Sequence, residues 1–151
     1  MMSVKELISN RSVYTVDKSV SVQAVVEYMA QKSIGAVSVM DGDRLVGIFS
    51  ERDVINRVVA KGLNPGATAV SSVMTTNLVV ASADETYESC LRKMKQASCR
   101  HLPVVEGDKL VGFISLRDLL LVDISVKDDT IEFLNNYMFH VPAGVEKRYA
   151  K

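Results

Sequence analysis

The sequence predicts a mixed α/β chain of the α+β type, built from two tandem β-α-β-β-α units. Two observations predict this class. Residues 42–53 recur 65 positions later as residues 107–118, with eight of the twelve aligned pairs identical. Around each copy, apolar residues at helical spacing alternate with short β-branched runs. Because a unit of about 60 residues buries too little surface to be comfortably stable alone, the two copies are expected to pack on each other.

The first copy supplies the elements in order. A β-branched run at residues 12–16 predicts a strand, and Ser19 or Ser21 can cap the helix that follows. This helix places four apolar residues at helical spacing, namely Val22, Val25, Val26 and Met29. Residues 36–40 then predict a strand, residues 41–43 a hairpin turn and residues 45–49 an almost wholly apolar return strand. A second helix begins at Ser50 and ends at the Gly and Pro within residues 61–66.

The second copy repeats this order and is followed by a tail of different character. Residues 78–81 predict the strand, and Tyr87, Leu91 and Met94 mark the apolar face of the next helix. We place the first unit at residues 4–62, the second at residues 68–124 and the tail at residues 125–151. A short amphipathic helix is predicted in the tail, before Pro142 and Gly144, from Ile131, Phe133, Leu134, Tyr137 and Met138.

Composition and charge exclude several classes of function. Eighteen basic and eighteen acidic residues cancel, which argues against a nucleic-acid-binding or membrane-binding surface. No apolar run approaches the ~18 residues of a membrane span, and residues 1–10 do not resemble a signal peptide. Cys90 and Cys99 form no CxxC pattern and the chain has only two histidines, so we expect a reducing, cytoplasmic location and no metal site.

Each copy carries a Ser-x-x-Asp motif where its return strand gives way to a helix, as Ser50 with Asp53 and as Ser115 with Asp118. One interpretation is a capping box, in which serine and acid satisfy the free amides of the helix start. The other is a ligand site. A serine hydroxyl and free amides at a helix start suit a phosphate, and a carboxylate one turn further on can accept both hydroxyls of a ribose.

Basic residues favour the ligand interpretation. Arg52 and Arg117 precede the two aspartates, and an arginine adds nothing to a capping box but can pair with phosphate. Arg100 and His101, before a strand of the second copy, can also donate to phosphate. The alternative for this last pair is a solvated position on the surface.

Glycines interrupt both return strands, as Gly47 and Gly112. A glycine inside a strand weakens it, and the usual reason for one is close approach of a ligand or of another backbone. We therefore expect a close contact at both positions.

These blocks resemble a tandem pair of cystathionine-β-synthase (CBS) domains, also called a Bateman module. Residues 45–53 and 110–118 carry the resemblance, residues 70–75 and 100–104 also fit it, and the likeness covers about residues 4–123. The resemblance implies one flat module with pseudo-two-fold symmetry and a central cleft for an adenosine ligand. That ligand would be AMP, ADP, ATP or, in some members, NAD or S-adenosylmethionine.

The resemblance also implies which residues bind the ligand. Asp53 and Asp118 would hold ribose, Ser50 and Ser115 would approach phosphate, and segments near residues 33–36 and 99–103 would flank adenine. The full set of expected ligand-binding residues comprises Thr15, Ser33, Ile34, Gly35, Ala36, Ser50, Arg52, Asp53, Val80, Cys99, Arg100, His101, Leu102, Pro103, Ser115, Arg117 and Asp118. The first copy departs from the pattern because it has Gly-Ala-Val-Ser at residues 35–38 where the second has Arg-His-Leu-Pro. Since the basic pair belongs to the second copy, we expect Asp118 to contribute more to binding than Asp53.

We therefore expect a regulatory sensor of adenosine nucleotides that acts on a partner protein in trans. It is not expected to be an enzyme, because no paired general base or metal set accompanies the motifs. Two alternatives remain: a nucleotide hydrolase or phosphotransferase that uses Asp53 or Asp118, and a purely structural dimerisation module. A homodimer is expected because residues 54–59 and 119–122 carry more apolar side chains than one buried stripe needs.

Overall fold

The computed structural model describes residues 2–138 as two three-stranded sheets with their helices. The first sheet has the order β1 (Thr15–Asp17), β2 (Ala36–Asp41), β3 (Arg44–Ser50), and the second has the order β4 (Ala81–Ser82), β5 (His101–Glu106), β6 (Lys109–Ser115). In both sheets the first strand runs parallel to the second, and the second runs antiparallel to the third. The mixed α/β class and the repeated β-α-β-β-α order are thereby confirmed.

The helix between the first two strands begins and ends in the same way in both units. In α2 (Val22–Lys32) the Oγ of Ser21 caps the helix start by accepting from the amide of Ala24 at 3.2 Å, and in α4 (Tyr87–Ala97) Thr86 does the same for Ser89. Both helices stop at a serine in the left-handed conformation, Ser33 with φ 55° and Ser98 with φ 52°. This conformation lets the serine amide reach the last carbonyls of the helix, at a steric cost that glycine would avoid.

The core of each unit includes a short segment that belongs to the other unit in sequence. The helix α1 (Val4–Ile8) lies at the start of the first unit in sequence but packs on the second, where the amide of Val4 donates to the carbonyl of Glu85 at 2.8 Å. Conversely, the 3-10 turn Val70–Ser72 packs on the first unit, and the amide of Val70 donates to the carbonyl of Val20 at 2.9 Å. Because the flanking segments are exchanged, each apolar core contains side chains from both halves of the chain.

The exchanged segments explain the two strand glycines. A Cβ on Gly47 would lie 2.4 Å from the Sδ of Met74, and one on Gly112 would lie 2.6 Å from the Cδ1 of Ile8. Close approach of a ligand or of another backbone was expected at both positions. The approach of another backbone is confirmed at Gly47, where a Cβ would also lie 3.1 Å from the carbonyl oxygen of Thr75, whereas at Gly112 the nearest atoms belong to the side chain of Ile8. The glycines therefore admit the exchanged segments against the sheets.

The helices that follow the two Ser-x-x-Asp motifs differ in length. The first, α3 (Glu51–Asp53), continues as a π-helical segment at Val54–Val59. The second, α5 (Leu116–Met138), is one helix of 23 residues. It runs through the boundary expected at residue 124, because residues 116–138 contain neither glycine nor proline. The separate short helix expected in the tail is thus part of α5, and residues 139–151, with Pro142 and Gly144, lie outside the described residues.

Both of these helices bury one apolar face and expose another. Val58 and Leu119 are fully buried, whereas Ile55, Val59 and Leu121 remain 61%, 66% and 59% exposed. The excess of apolar residues read from the sequence is therefore present on the surface of the single chain. No helix within residues 2–138 is long and apolar enough to span a bilayer.

Candidate functional site

A cavity of about 550 Å³ lies where the two units meet, next to the start of α3. This volume is within the range of small-ligand sites. Its walls come from both units, through Gly35, Ile48, Ser50, Glu51, Arg52, Asp53, Asn56, Arg57, Thr75, Asn77, Leu78, Val79, Ala97, Ser98, Cys99, Arg100 and His101.

The cavity contains part of the set expected from the sequence. The expected residues that line it are Gly35, Ser50, Arg52, Asp53, Cys99, Arg100 and His101. The expected residues that do not line it are Thr15, Ser33, Ile34, Ala36, Val80, Leu102, Pro103, Ser115, Arg117 and Asp118. Ala36 and Leu102 are core residues with almost no exposed surface, and Thr15 borders a second, more open depression between the two hairpins.

The two copies contribute to this cavity in a crossed manner. Arg100 and His101 of the second unit line the same cavity as the motif of the first unit, while His101 also pairs with Ser115 in the second sheet and the amide of Leu116 donates to the carbonyl of Arg100 at 2.6 Å. The sequence reasoning assumed that the basic pair serves the aspartate of its own copy. That expectation stays a prediction, and the cavity lining adds the opposite one, that Asp53 contributes more to binding than Asp118, because the pair and Asp53 line the same cavity.

Sequence reasoning missed several polar residues of the cavity, chiefly Asn56, Arg57, Thr75 and Asn77. Arg57 carried a usable signal, because it lies four residues after Asp53 and such a pair shares one helix face. Thr75 and Asn77 carried none, since nothing local in the sequence shows against which unit they pack.

Asp53 is only 7% exposed, and its carboxylate contacts Ser50, Thr75 and Arg57. Its Oδ2 accepts from the amide of Ser50 at 3.0 Å and from the Ser50 hydroxyl at 3.3 Å. The hydroxyl of Thr75 donates to both carboxylate oxygens at 3.2 and 3.3 Å, and the Nε of Arg57 lies 3.5 Å from Oδ1. A ribose hydroxyl that reached this carboxylate would join or replace the Thr75 hydroxyl.

The capping interpretation of the motif is confirmed as local geometry. The amide of Asp53 donates to the Ser50 hydroxyl at 3.4 Å, which completes a capping box. In the second copy the amides of Ser115 and Asp118 make the reciprocal bonds at 2.9 and 3.2 Å. Capping does not use all the acceptor sites of the Asp53 carboxylate, since this group also accepts a hydrogen bond from the Thr75 hydroxyl, outside its own helix.

The cavity has an excess of cationic side chains. Arg52, Arg57 and Arg100 face the carboxylates of Glu51 and Asp53, so three positive charges oppose two negative ones. Guanidinium groups in this number suit an anionic ligand group such as phosphate.

His101 stacks on Phe113, with ring centroids 5.7 Å apart. Burial lowers the pKa of His101 below its usual 6.5, against a weaker opposite effect from Glu51 and Asp118. The neutral imidazole therefore predominates at pH 7.

The carboxylate of Asp118 makes an ion pair that the sequence did not suggest. The Nη1 of Arg11 lies 2.7 Å from its Oδ2. Burial raises the pKa of Asp118, but the hydrogen bonds from Ser115 and the Arg11 guanidinium outweigh burial and leave that pKa below the usual 3.8. The two aspartates thus have different partners.

Neither cysteine is chemically activated. Burial raises the pKa of Cys90 to about 12 and also raises the pKa of Cys99, which borders the cavity. Both remain thiols at neutral pH. Within residues 2–138, no three His, Cys, Asp or Glu side chains come together in a way that could hold a metal ion.

Comparison with known proteins identifies the fold and the repeat. The family model described as the CBS domain matches residues 4–60 and again residues 70–125. The chain belongs to the CBS-domain family. The resemblance to a tandem CBS pair, drawn from the two repeated blocks, is confirmed.

Relatives include short and long proteins. A CBS domain-containing protein of Bacillus subtilis, YhcV, is 34% identical over 125 residues, which are 83% of this chain and 88% of the relative. Arabidopsis thaliana CBS proteins are 33% and 32% identical, but the chain spans only 24% and 26% of their length. The same module therefore occurs in proteins of very different size.

Solved structures share the architecture. A CBS-domain protein of Burkholderia ambifaria superposes with a TM-score of 0.78 at 35% identity, covering 82% of this chain and 95% of that one. The CBS-domain protein ATU1752 of Agrobacterium tumefaciens superposes with a TM-score of 0.75 at 33% identity, covering 81% and 99%.

Proposed function

We propose that this CBS pair is a regulatory module that binds an adenosine nucleotide in the cavity around Asp53. One observation carries the proposal: a buried carboxylate of the first unit and a guanidinium of the second, on Arg100, line the same cavity. A nucleotide offers a diol to the carboxylate and an anion to the guanidinium. Binding of the nucleotide would therefore depend on the contact between the two units.

Each part of a nucleotide finds a complementary group in the cavity. Asp53 and the hydroxyl of Thr75 suit the ribose hydroxyls, while Arg52 and Arg100 suit phosphate oxygens. The apolar walls at Ile48, Leu78 and Val79 suit the adenine ring. Because the cations outnumber the acids, we propose a phosphate-bearing ligand, of the group AMP, ADP, ATP and NAD.

Two solved CBS structures with the same fold support an adenosine ligand. The protein PAE2072 of Pyrobaculum aerophilum is complexed with AMP, with a TM-score of 0.73 at 22% identity. The CBS pair of protein MJ0100 is in complex with 5-methylthioadenosine and S-adenosyl-L-methionine, with a TM-score of 0.75 at 20% identity. At these identities the comparison concerns the fold, so the choice of ligand for this chain rests on its own side chains.

We further propose that the output is a partner protein in trans or a change of assembly, and not catalysis. A homodimer is supported by the exposed apolar side chains of two helices, namely Ile55, Val59, Leu120, Leu121 and Ile124. Such a patch on a single chain usually marks an interface. Light scattering that gives the mass of one chain at micromolar concentration would contradict the dimer.

A ligand panel tests the proposal. Titration calorimetry and thermal melts are run with AMP, ADP, ATP, NAD and S-adenosylmethionine. A ligand at one hundred times its dissociation constant should stabilise the fold by about 2.7 kcal/mol. No binding by any member would reject the sensor in favour of a structural module, whereas release of phosphate from ATP with Mg²⁺ would favour the hydrolase alternative.

A further inference from the structure

We propose that Arg11 sets the affinity of a second nucleotide site, at Asp118, by occupying the carboxylate that a ribose would use. The inference rests on the proposed function, because it takes the duplicated aspartate as a second ribose acceptor. It assigns to the segment between α1 and β1 a competitive role that the sequence did not suggest. The chain would then bind one nucleotide tightly, at Asp53, and a second one more weakly.

The ion pair stands where the second ligand would have to bind. The Nη1 of Arg11 is 2.7 Å from the Oδ2 of Asp118, and the same oxygen accepts from the amide of Ser115 at 2.9 Å. A ribose that donates both of its hydroxyls needs both carboxylate oxygens. Because Arg11 already contacts Oδ2, a diol that uses both oxygens must compete with Arg11 for that atom.

The first site contains an arginine too, but it is held differently. The Nε of Arg57 is 3.5 Å from the Oδ1 of Asp53, while its Nη1 donates to the carbonyl of Met74 at 2.9 Å. Arg57 thus also holds the backbone at Met74, and its contact with the carboxylate is the longer of the two. The guanidinium of Arg11 makes the shorter contact, so its competition with a ribose should be the stronger of the two.

The repeat itself shows that this difference is specific to the second copy. The position 65 residues after Arg57 is Val122, so α5 has no arginine one turn beyond Asp118. The chain supplies the missing cation from the exchanged segment, since Arg11 follows α1 and its amide donates to the carbonyl of Ile8 at 3.1 Å. Ile8 packs in the core of the second unit, which keeps Arg11 beside Asp118.

The competition should weaken binding without abolishing it. The side chains of Arg11 and Asp118 are 44% and 24% exposed, and ion pairs of this exposure are weak because water and salt screen them. Removing Arg11 should therefore raise the affinity of the second site by roughly three- to fivefold.

The test isolates the second site by replacing Asp53 with alanine. In this background, Arg11→Gln is compared with Lys5→Gln by titration calorimetry with AMP and with adenosine. Lys5 is a matched control, because it also precedes β1 and makes an exposed ion pair, with Glu106 at 3.4 Å. Arg11→Gln should raise the affinity for both ligands, Lys5→Gln should change neither, and Arg11→Lys should give an intermediate value.

Other outcomes overturn the inference. Equal affinities with and without Arg11, or no binding in either protein, would show that Arg11 does not restrict a second site. A loss of AMP affinity in Arg11→Gln with adenosine unchanged would make Arg11 a phosphate contact instead of a competitor. Thermal melts check folding, and Asp53→Asn serves if the alanine background is unstable. Failure of the proposed function is separate, since it appears as absence of binding to the protein with Asp53 intact.

Discussion

Replacing Asp53 by alanine removes the one carboxylate that lies in the cavity and is almost fully buried. A hydrogen bond to a charged group contributes about 1.5–3 kcal/mol. Because the two bonds to a ribose diol do not add independently, we expect a total loss near the upper end of that range. This corresponds to a dissociation constant for AMP raised roughly thirty- to one-hundredfold.

The same substitution also acts on the fold. It removes the partner of the Ser50 amide and of the Thr75 hydroxyl, and loss of a cap usually costs 0.5–2 kcal/mol. We expect a destabilisation of about 2 kcal/mol, or a fall of about 4–8 °C in melting temperature for a chain of this length. Binding must therefore be measured well below the melting temperature of the variant.

Two controls separate these effects. Asp41→Ala removes an exposed acid that pairs with Lys18 at 2.8 Å outside the cavity, and it should leave AMP affinity unchanged. Asp118→Ala removes the second aspartate and should weaken the tight site less than Asp53→Ala does. A larger loss from Asp118→Ala, measured by calorimetry, would refute the crossed arrangement of Asp53 with Arg100 and His101.

Three further predictions concern stability and pH. Ser33→Gly should stabilise the protein by up to about 1 kcal/mol in chemical denaturation, because glycine accepts the left-handed conformation at φ 55° without steric cost; a destabilised variant would contradict this account of the helix end. Gly47→Ala should destabilise by about 1–3 kcal/mol, because its Cβ meets Met74, whereas Gly35→Ala, with only the flexible end of Glu51 at 3.5 Å, should cost less. The folded-state pKa of His101 lies below 6.5, so the unfolded state binds more protons between these two values and stability should fall as pH drops below 6.5. His101→Gln should lose this part of the pH dependence, and an unchanged melting profile from pH 7 to pH 5 would count against a depressed pKa.

The repeat was enough to predict the fold. Its identical polar residues align the two copies, and the spacing of its apolar residues predicts the same strands and helices in each copy. The capping geometry at Ser50 and Asp53 also follows from local spacing. The contacts between the two units do not follow from local spacing. Arg100 lines the cavity of Asp53, Arg11 pairs with Asp118 and Met74 packs on Gly47 because of how the two copies and their flanking segments pack together. Residues far apart in sequence carry no periodic signal of such partners, so contacts between the two copies could not be predicted from the sequence.

Because the two copies are joined in one chain, each copy receives its flanking segment from the other copy of the same molecule, and no second molecule is needed to supply it. A single copy that lacked its outer segment would leave apolar surface uncovered around Tyr87 and Ile114, which are buried in the intact chain. Two separate copies would have to exchange segments across a dimer, with a stability that depends on concentration. The short connection at residues 61–69 instead keeps each segment at a high effective concentration near its acceptor. Duplication thus makes the completed cavity independent of dilution, and it allows a residue such as Arg11 to differ between the two copies without a matching change in the other.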